Sequence, residues 1–435
     1  MSDVSAERIA ADGPTEASGA NQCPVVGRNN SRDMDQRKAT DGEWNTGVPI
    51  ERVGDGWRIS SLNLARQVLR SQATLQAGFR AEQVRAGLRK SRHPVLFSDG
   101  PEHREQRSMI ARFFAPTTVD TTYRELMERY AKETLAELDR TGSLDLGEAA
   151  MGYSVRVAAH IVGLDGTDPD AMARRLMKLF GNDGDPTAAP RNALQKVWFA
   201  IRSSLGSLPV ATFTWVDVRP AVKDRKKQRR ADVISHLIDQ DYTLTEIATE
   251  CLTYAAAGMV TTREFIAMAV WHLLDNQPLR DRYMVAGKGE RYAILHDILR
   301  LEPVVGLLYR RATENIELEH DGQSYMISAG EMITMSVKDT NVDTEIFEQP
   351  REICPERQLP RGTRPEGAAF GDGAHRCPGH FVAIQETDVF LRELFSRGIQ
   401  QLAAPELFTD ALIAGYRVEG LRVGLASADQ SGVLK

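Results

Sequence analysis

Phe370-Gly371-Asp372-Gly373-Ala374-His375-Arg376-Cys377-Pro378-Gly379 is the stretch from which the rest of the chain is read. It places one cysteine at the end of a glycine-punctuated loop, directly before an apparent helix. Gly371 and Gly373 permit positive φ and a close backbone approach to something flat. Pro378 suits a first helical turn, where its missing N–H costs nothing. A sulfur at a helix start, with Arg376 beside it, is biased towards thiolate. Thiolate is one of the axial ligands that proteins offer to haem iron. Other readings are open at this point. A lone cysteine is most often an inert buried residue. A dinucleotide loop fails because Arg376 stands where a third glycine is required. Zinc fails because no second Cys or His pair stands at finger-like spacing from His375, Cys377 and His380.

Phe-Gly-x-Gly-x-His-x-Cys-x-Gly resembles the cysteine-loop motif of the cytochrome P-450 family at every fixed position. The resemblance implies a mainly α fold with small β-sheets. It is a single domain with haem b (iron protoporphyrin IX) between a long central helix and the loop. Cys377 is then the iron ligand, with His375 and Phe370 lining the cofactor.

Size and charge agree with that reading. The chain has 435 residues and a net charge of −6, from 54 Lys+Arg against 60 Asp+Glu. Such a balance argues against a nucleic-acid binder. Four widely spaced cysteines (23, 251, 354, 377) do not read as a disulfide framework and suit a reducing compartment. The first 45 or so residues are rich in Ser, Ala, Asp, Gly and Asn and carry no apolar run. The expectation is a disordered tail over 1–47, a domain over 48–435, no membrane anchor and a cytoplasmic bacterial protein.

His103 and Arg107 stand four apart, on one face of any helix. By itself that is a solvated surface pair; in the family, His-x-x-x-Arg at this point binds haem propionates. Arg310, in Arg310-Arg311-Ala312, matches the family's propionate arginine, and charge-assisted pairing to two carboxylates needs such donors. Arg52 to Ile59 reads as a strand, Ser61 as the cap of a helix from Leu62, and 118–215 as several amphipathic helices. The run 223–230 reads as a solvated basic face.

Thr243-x-x-Glu246 has the form of a capping box, and helical periodicity then runs to about Asp275. At 1.5 Å per residue such a helix spans roughly 50 Å. Its centre, Ala255-Ala256-Ala257-Gly258-Met259-Val260-Thr261-Thr262, is small-sided, which tight packing alone would explain. In the family this helix crosses the oxygen-binding face, so the resemblance puts Ala257 and Gly258 against haem and makes Thr261 catalytic. It departs at Val260, where the family has an acid; Glu264, a turn further on, is no evident substitute. Met259, Val260, Val304, Val305 and Leu307 are the implied substrate-pocket residues. Asp297 and Arg300, with Arg357, match a structural ion-pair triad in which the family has glutamate at the first position. Ile316 to Leu318 and Met326 to Val337 read as two strands around an Asp321-Gly322 type I′ turn, and Tyr416 to Leu425 as a closing strand.

The function implied is oxidation of a small hydrophobic molecule with dioxygen, using electrons from ferredoxin and ferredoxin reductase that dock near Arg104 and Arg364. Because Val260 removes the acid, oxidative C–C or C–N coupling of an aromatic natural product, such as a tryptophan-derived cyclic dipeptide, stands beside hydroxylation. A non-catalytic haem sensor is the alternative of another class.

Overall fold

In the computed structural model, residues 35–39, 47–79, 81–88, 91–180, 209–410 and 413–426 are described. Among the described residues the helices outnumber the strands, and the strands gather in four small sheets, the fold class expected. The principal sheet has five strands in the order β1-β2-β8-β5-β3. These are β1 (Ile50–Val53), β2 (Gly56–Ile59), β3 (Thr74–Ala77), β5 (Leu307–Ala312) and β8 (Met332–Ser336). Arg52 to Ile59 is therefore not one strand. Gly54, at φ +57°, turns the chain so that Val53 pairs with Gly56. The helix Leu62–Arg70 starts at Ser61 as expected, but Asp343, not Ser61, receives the Leu62 N–H at 2.8 Å.

The central helix is continuous from Leu244 to Asp275, with a π-helical stretch over Ala255–Val260. Both halves of the Thr243–Glu246 capping box form. Its buried side chains, among them Phe265, Ile266, Met268 and Val270, pack in one core with the helices Arg124–Thr141, Leu146–Val162 and His380–Phe395. Asp321 and Gly322 both have positive φ (48° and 74°), the I′ geometry the sequence predicts, joining β6 (Ile316–His320) to β7 (Gln323–Ile327). The return after that turn divides in two, because β7 pairs with β6 whereas β8 joins the principal sheet. Tyr416 to Leu425 divides likewise at Gly420 (φ +72°) into β11 (Gly415–Glu419) and β12 (Arg422–Leu425).

Three other expectations are corrected. Arg225, inside the supposedly solvated basic run, is 1 % exposed and pairs with Asp165 at 2.6 Å, Asp224 at 2.8 Å and Asp232. A run of charge does not reveal that one member faces three carboxylates. Cys354 is disulfide-bonded, while Cys251 and Cys377 are free. Within the expected tail, residues 35–39 lie against the body: Gln36 N–H donates to Arg351 O at 3.0 Å, and the N–H groups of Lys38 and Ala39 donate to buried Glu302. Residues 1–34 and 40–46 of that tail fall outside the described residues, as do 181–208 of the stretch expected to form several amphipathic helices. Among the described residues no helix is long and apolar enough to cross a membrane.

Candidate functional site

Gly371 and Gly373 both adopt φ +67°, and a Cβ on Gly373 would lie 2.2 Å from Leu69 O, so glycine is required there. The loop closes through the Cys377 N–H, which donates to Phe370 O at 2.8 Å. The following helix starts at His380, slightly later than Pro378 suggests. Arg376 turns away from the sulfur to Glu366 (3.0 Å) and His380 (2.7 Å). Burial pushes the Cys377 thiol up, and the Gly379 N–H and Arg107 oppose it only in part. The free thiol is therefore not biased to thiolate as its helix position suggests; a coordinated metal would remove the proton outright.

Four donor side chains converge beside this loop. His103, 2 % exposed, stacks on His375 with ring centroids 4.0 Å apart. His375 Nε2 meets Asp99 Oδ1 at 3.1 Å, and Arg107 donates to Arg376 O at 2.6 Å. Arg310, 4 % exposed, reaches Gln76 Oε1 and the Tyr309 carbonyl. Burial, reinforced by the charges of His375 and Arg107, pushes His103 down to about 4. Burial likewise pushes Arg310 down to about 10 and lowers Arg107. Neither arginine has a carboxylate partner among the described residues, and Asp99 is the one anion that offsets the group. Such a cluster is short of negative charge, and an incoming dianion would be strongly favoured.

The strand β5 explains which neighbours face this cluster. Its side chains alternate, so Arg310 and Ala312 are buried while Leu307, Tyr309 and Arg311 line a groove on the other face with Trp57 and Met332. Leu307 is thereby placed away from the donor cluster. Leu308 instead comes within 3.9 Å of where a Gly371 Cβ would lie. Met259 has no exposed surface and belongs to the main core, not to a pocket wall. Val304 is buried in that core, and Val260 and Val305 are half-buried. Phe370 is half-buried, its ring 5.8 Å from that of His380.

On the central helix, Ala257 is exposed, and a Cβ on Gly258 would meet nothing within 4 Å. Thr261 Oγ1 donates to Ala257 O at 2.6 Å. Glu264 is committed elsewhere: buried, it pairs with Arg263 and accepts the Val418 N–H at 2.8 Å. Asp297 receives Arg300 at 2.6 Å and Arg357 at 2.8 Å through one oxygen and the Cys354 N–H through the other. The shorter acid thus still joins the helix Lys288–Leu301 to the segment before the loop. Gln76 and Asp99 were not singled out from sequence, where a glutamine and an aspartate at loop edges carry no signal. Only the fold brings them to Arg310 and His375.

Residues 292–397 match the family model described as Cytochrome P450. The chain is 24% identical over 401 residues to a Steroid C26-monooxygenase of Rhodococcus jostii, covering 88% of this chain and 79% of that protein. It is 25% identical over 366 residues to a Cyclooctat-9-en-7-ol 5-monooxygenase of Streptomyces melanosporofaciens, covering 77% and 78%. The solved structure of a mutant of P450 EryK in complex with erythromycin B superposes with a TM-score of 0.70 at 22% identity, over 87% of this chain and 93% of that one. The cofactor of this family and fold is haem b, and the site's chemistry fits it: a half-buried soft sulfur, two arginines without a carboxylate partner among the described residues, and a helix wall left open at Gly258. Over residues 292–397 the chain matches the Cytochrome P450 family, and the loop, the donor cluster and the fold agree with that likeness.

Proposed function

We propose that the protein oxidises a small, largely hydrophobic natural product with dioxygen and electrons from a ferredoxin-type partner. Bound haem b supplies the activation of dioxygen. In this reading Cys377 Sγ holds the iron, and His103, Arg107, Arg310 and His375 hold the propionates. Phe370 lies beside the sulfur, and Ala257 and Gly258 leave room on the other side. The observation that supports the propionate roles is a cluster of four donors for which Asp99 is the one carboxylate, and in which neither arginine has a carboxylate partner among the described residues. Exposed Arg104 and half-buried Arg364 are candidates for meeting an acidic ferredoxin.

Protons are where this chain is unusual. Val260 carries none, and Glu264 is held by Arg263 and the Val418 N–H. Thr261 Oγ1 already donates to Ala257 O, so it is free to accept a hydrogen bond from a donor in the pocket. That donor is a polar group of the substrate or water that the substrate positions. Val260, Val304 and Val305 form the apolar wall on which the substrate rests. A second reading is oxidative C–C or C–N coupling, which needs the same protons at dioxygen but no oxygen transfer to the substrate, so that no oxygen need enter the product. Turnover under isotopically labelled dioxygen separates the two. Label in the product supports hydroxylation, and an unlabelled product rules it out in favour of coupling.

A further inference from the structure

Residues 92–99 lead into the helix Gly100–Ile110, and side chains hold this segment at both ends. At its start, two acids one turn apart on the central helix each accept a backbone N–H. Glu246 takes that of Arg92 at 2.9 Å, and Glu250 takes that of Val95 at 2.9 Å. At its end, Asp99 accepts from Gln76 N at 3.0 Å and Arg85 at 2.7 Å and meets His375 Nε2 at 3.1 Å. The segment is therefore registered both to the central helix and to a member of the donor cluster.

Glu246 also closes the helix cap, so its acid has a local use. Glu250 has none. It is 3 % exposed, one oxygen bonds Val95, and the other has no partner among the described residues. An unsatisfied buried oxygen is costly, and a leucine would serve the core better. We propose that Glu250 is a positioning residue for the substrate pocket: by accepting the Val95 N–H it sets where segment 92–99 sits beside the cofactor site, and so which bulky molecules the pocket admits. The inference rests on reading the Cys377 site as the haem pocket. The Val95 side chain is locked in the main core and Phe97 is buried, while Leu96 stays half-exposed. A shift at Val95 is carried along the few residues to Asp99 and His375. Burial also pushes the Glu250 carboxyl up to about 8, so near neutral pH the bond to Val95 joins two uncharged groups and needs no counter-ion.

The test uses holoenzyme, two probes that coordinate haem, imidazole and the bulkier 4-phenylimidazole, and hydrogen exchange at the Val95 amide. Glu250→Asp stays acidic but is one methylene short; Glu250→Gln keeps the reach and the acceptor oxygen. Loss of one hydrogen bond corresponds to about tenfold. We expect Glu250→Asp to exchange the Val95 amide and release 4-phenylimidazole about tenfold more readily, with imidazole affinity within about twofold of wild type. Glu250→Gln should match wild type in all three measurements. Wild-type behaviour of Glu250→Asp, equal loss of both azoles, or a Glu250→Gln as impaired as Glu250→Asp would each overturn the proposal. Wild-type protein that binds neither azole would count against the haem reading instead, and the Val95 exchange rate, which needs no cofactor, then decides the Glu250 contact by itself.

Discussion

Cys377, Arg107, Arg310 and Glu250 are each defined by what surrounds a single side chain. Cys377→His is expected to abolish the family's long-wavelength Soret band in the reduced, carbon monoxide-treated protein; an unchanged band would mean that another residue ligates the iron. Arg310 is buried and Arg107 half-buried, and neither has a carboxylate partner among the described residues. Each donor removed from a buried anion should cost on the order of 1–3 kcal/mol. The double replacement by alanine should then purify mostly without haem, as read from the ratio of Soret to protein absorbance. Glu250 yields a pH prediction with a definite sign. Its carboxyl is raised from an ordinary 4.5 to about 8, so between those values the folded chain holds a proton that the unfolded chain has released. Its contribution to stability is complete below pH 4.5 and falls as pH rises to about 8, by up to about 1.4 kcal/mol per unit. Glu250→Gln should gain on wild type across that window in denaturant titrations and show no gain at pH 4.5. Parallel curves for the two proteins would contradict the assignment.

At the scale of elements, the central helix carries the most readable chemistry. The Thr243–Glu246 box and the small residues near Gly258 were legible because a capping box and side-chain size are local properties. Its π-helical stretch was not legible, because a register shift of one residue leaves no mark in composition. Nor was the burial of Met259, which that geometry places in the core. Thr261 places a hydroxyl against Ala257 O at the open stretch, so Thr261→Ala should divert electrons to peroxide. The ratio of product to NAD(P)H consumed, measured with a surrogate ferredoxin, should drop several-fold; an unchanged ratio would remove Thr261 from proton delivery. Strand β5 teaches the same lesson about faces. Arg310 was found by motif, yet its neighbour Leu307 points to the opposite groove because side chains alternate along a strand.

For the whole molecule, Asp297 is the joint between the helix Lys288–Leu301 and the chain leading into the cysteine loop. Arg300 is fully buried and Arg357 nearly so, and both depend on one carboxylate. Breaking a buried pair from one side typically costs about 3–5 kcal/mol, since it leaves uncompensated charge. Asp297→Ala should accordingly lower the midpoint of thermal unfolding by several degrees or give insoluble protein, and Asp297→Glu should recover part of the loss. A fully stable Asp297→Ala would show the joint to be dispensable.

From the sequence alone came the family-like loop, the donor types at 103, 107, 310 and 375, the long helix, and the acid missing at Val260. All of these are carried by residue identity and spacing within a short window. The tertiary structure alone decided that Glu264 is spent on Arg263, that Arg225 is buried among three aspartates, and that Glu250 and Asp99 hold the two ends of one segment. Each of those depends on partners distant in the chain. A carboxyl group's burial and charge are set by the neighbours that folding brings to it, not by the residues on either side.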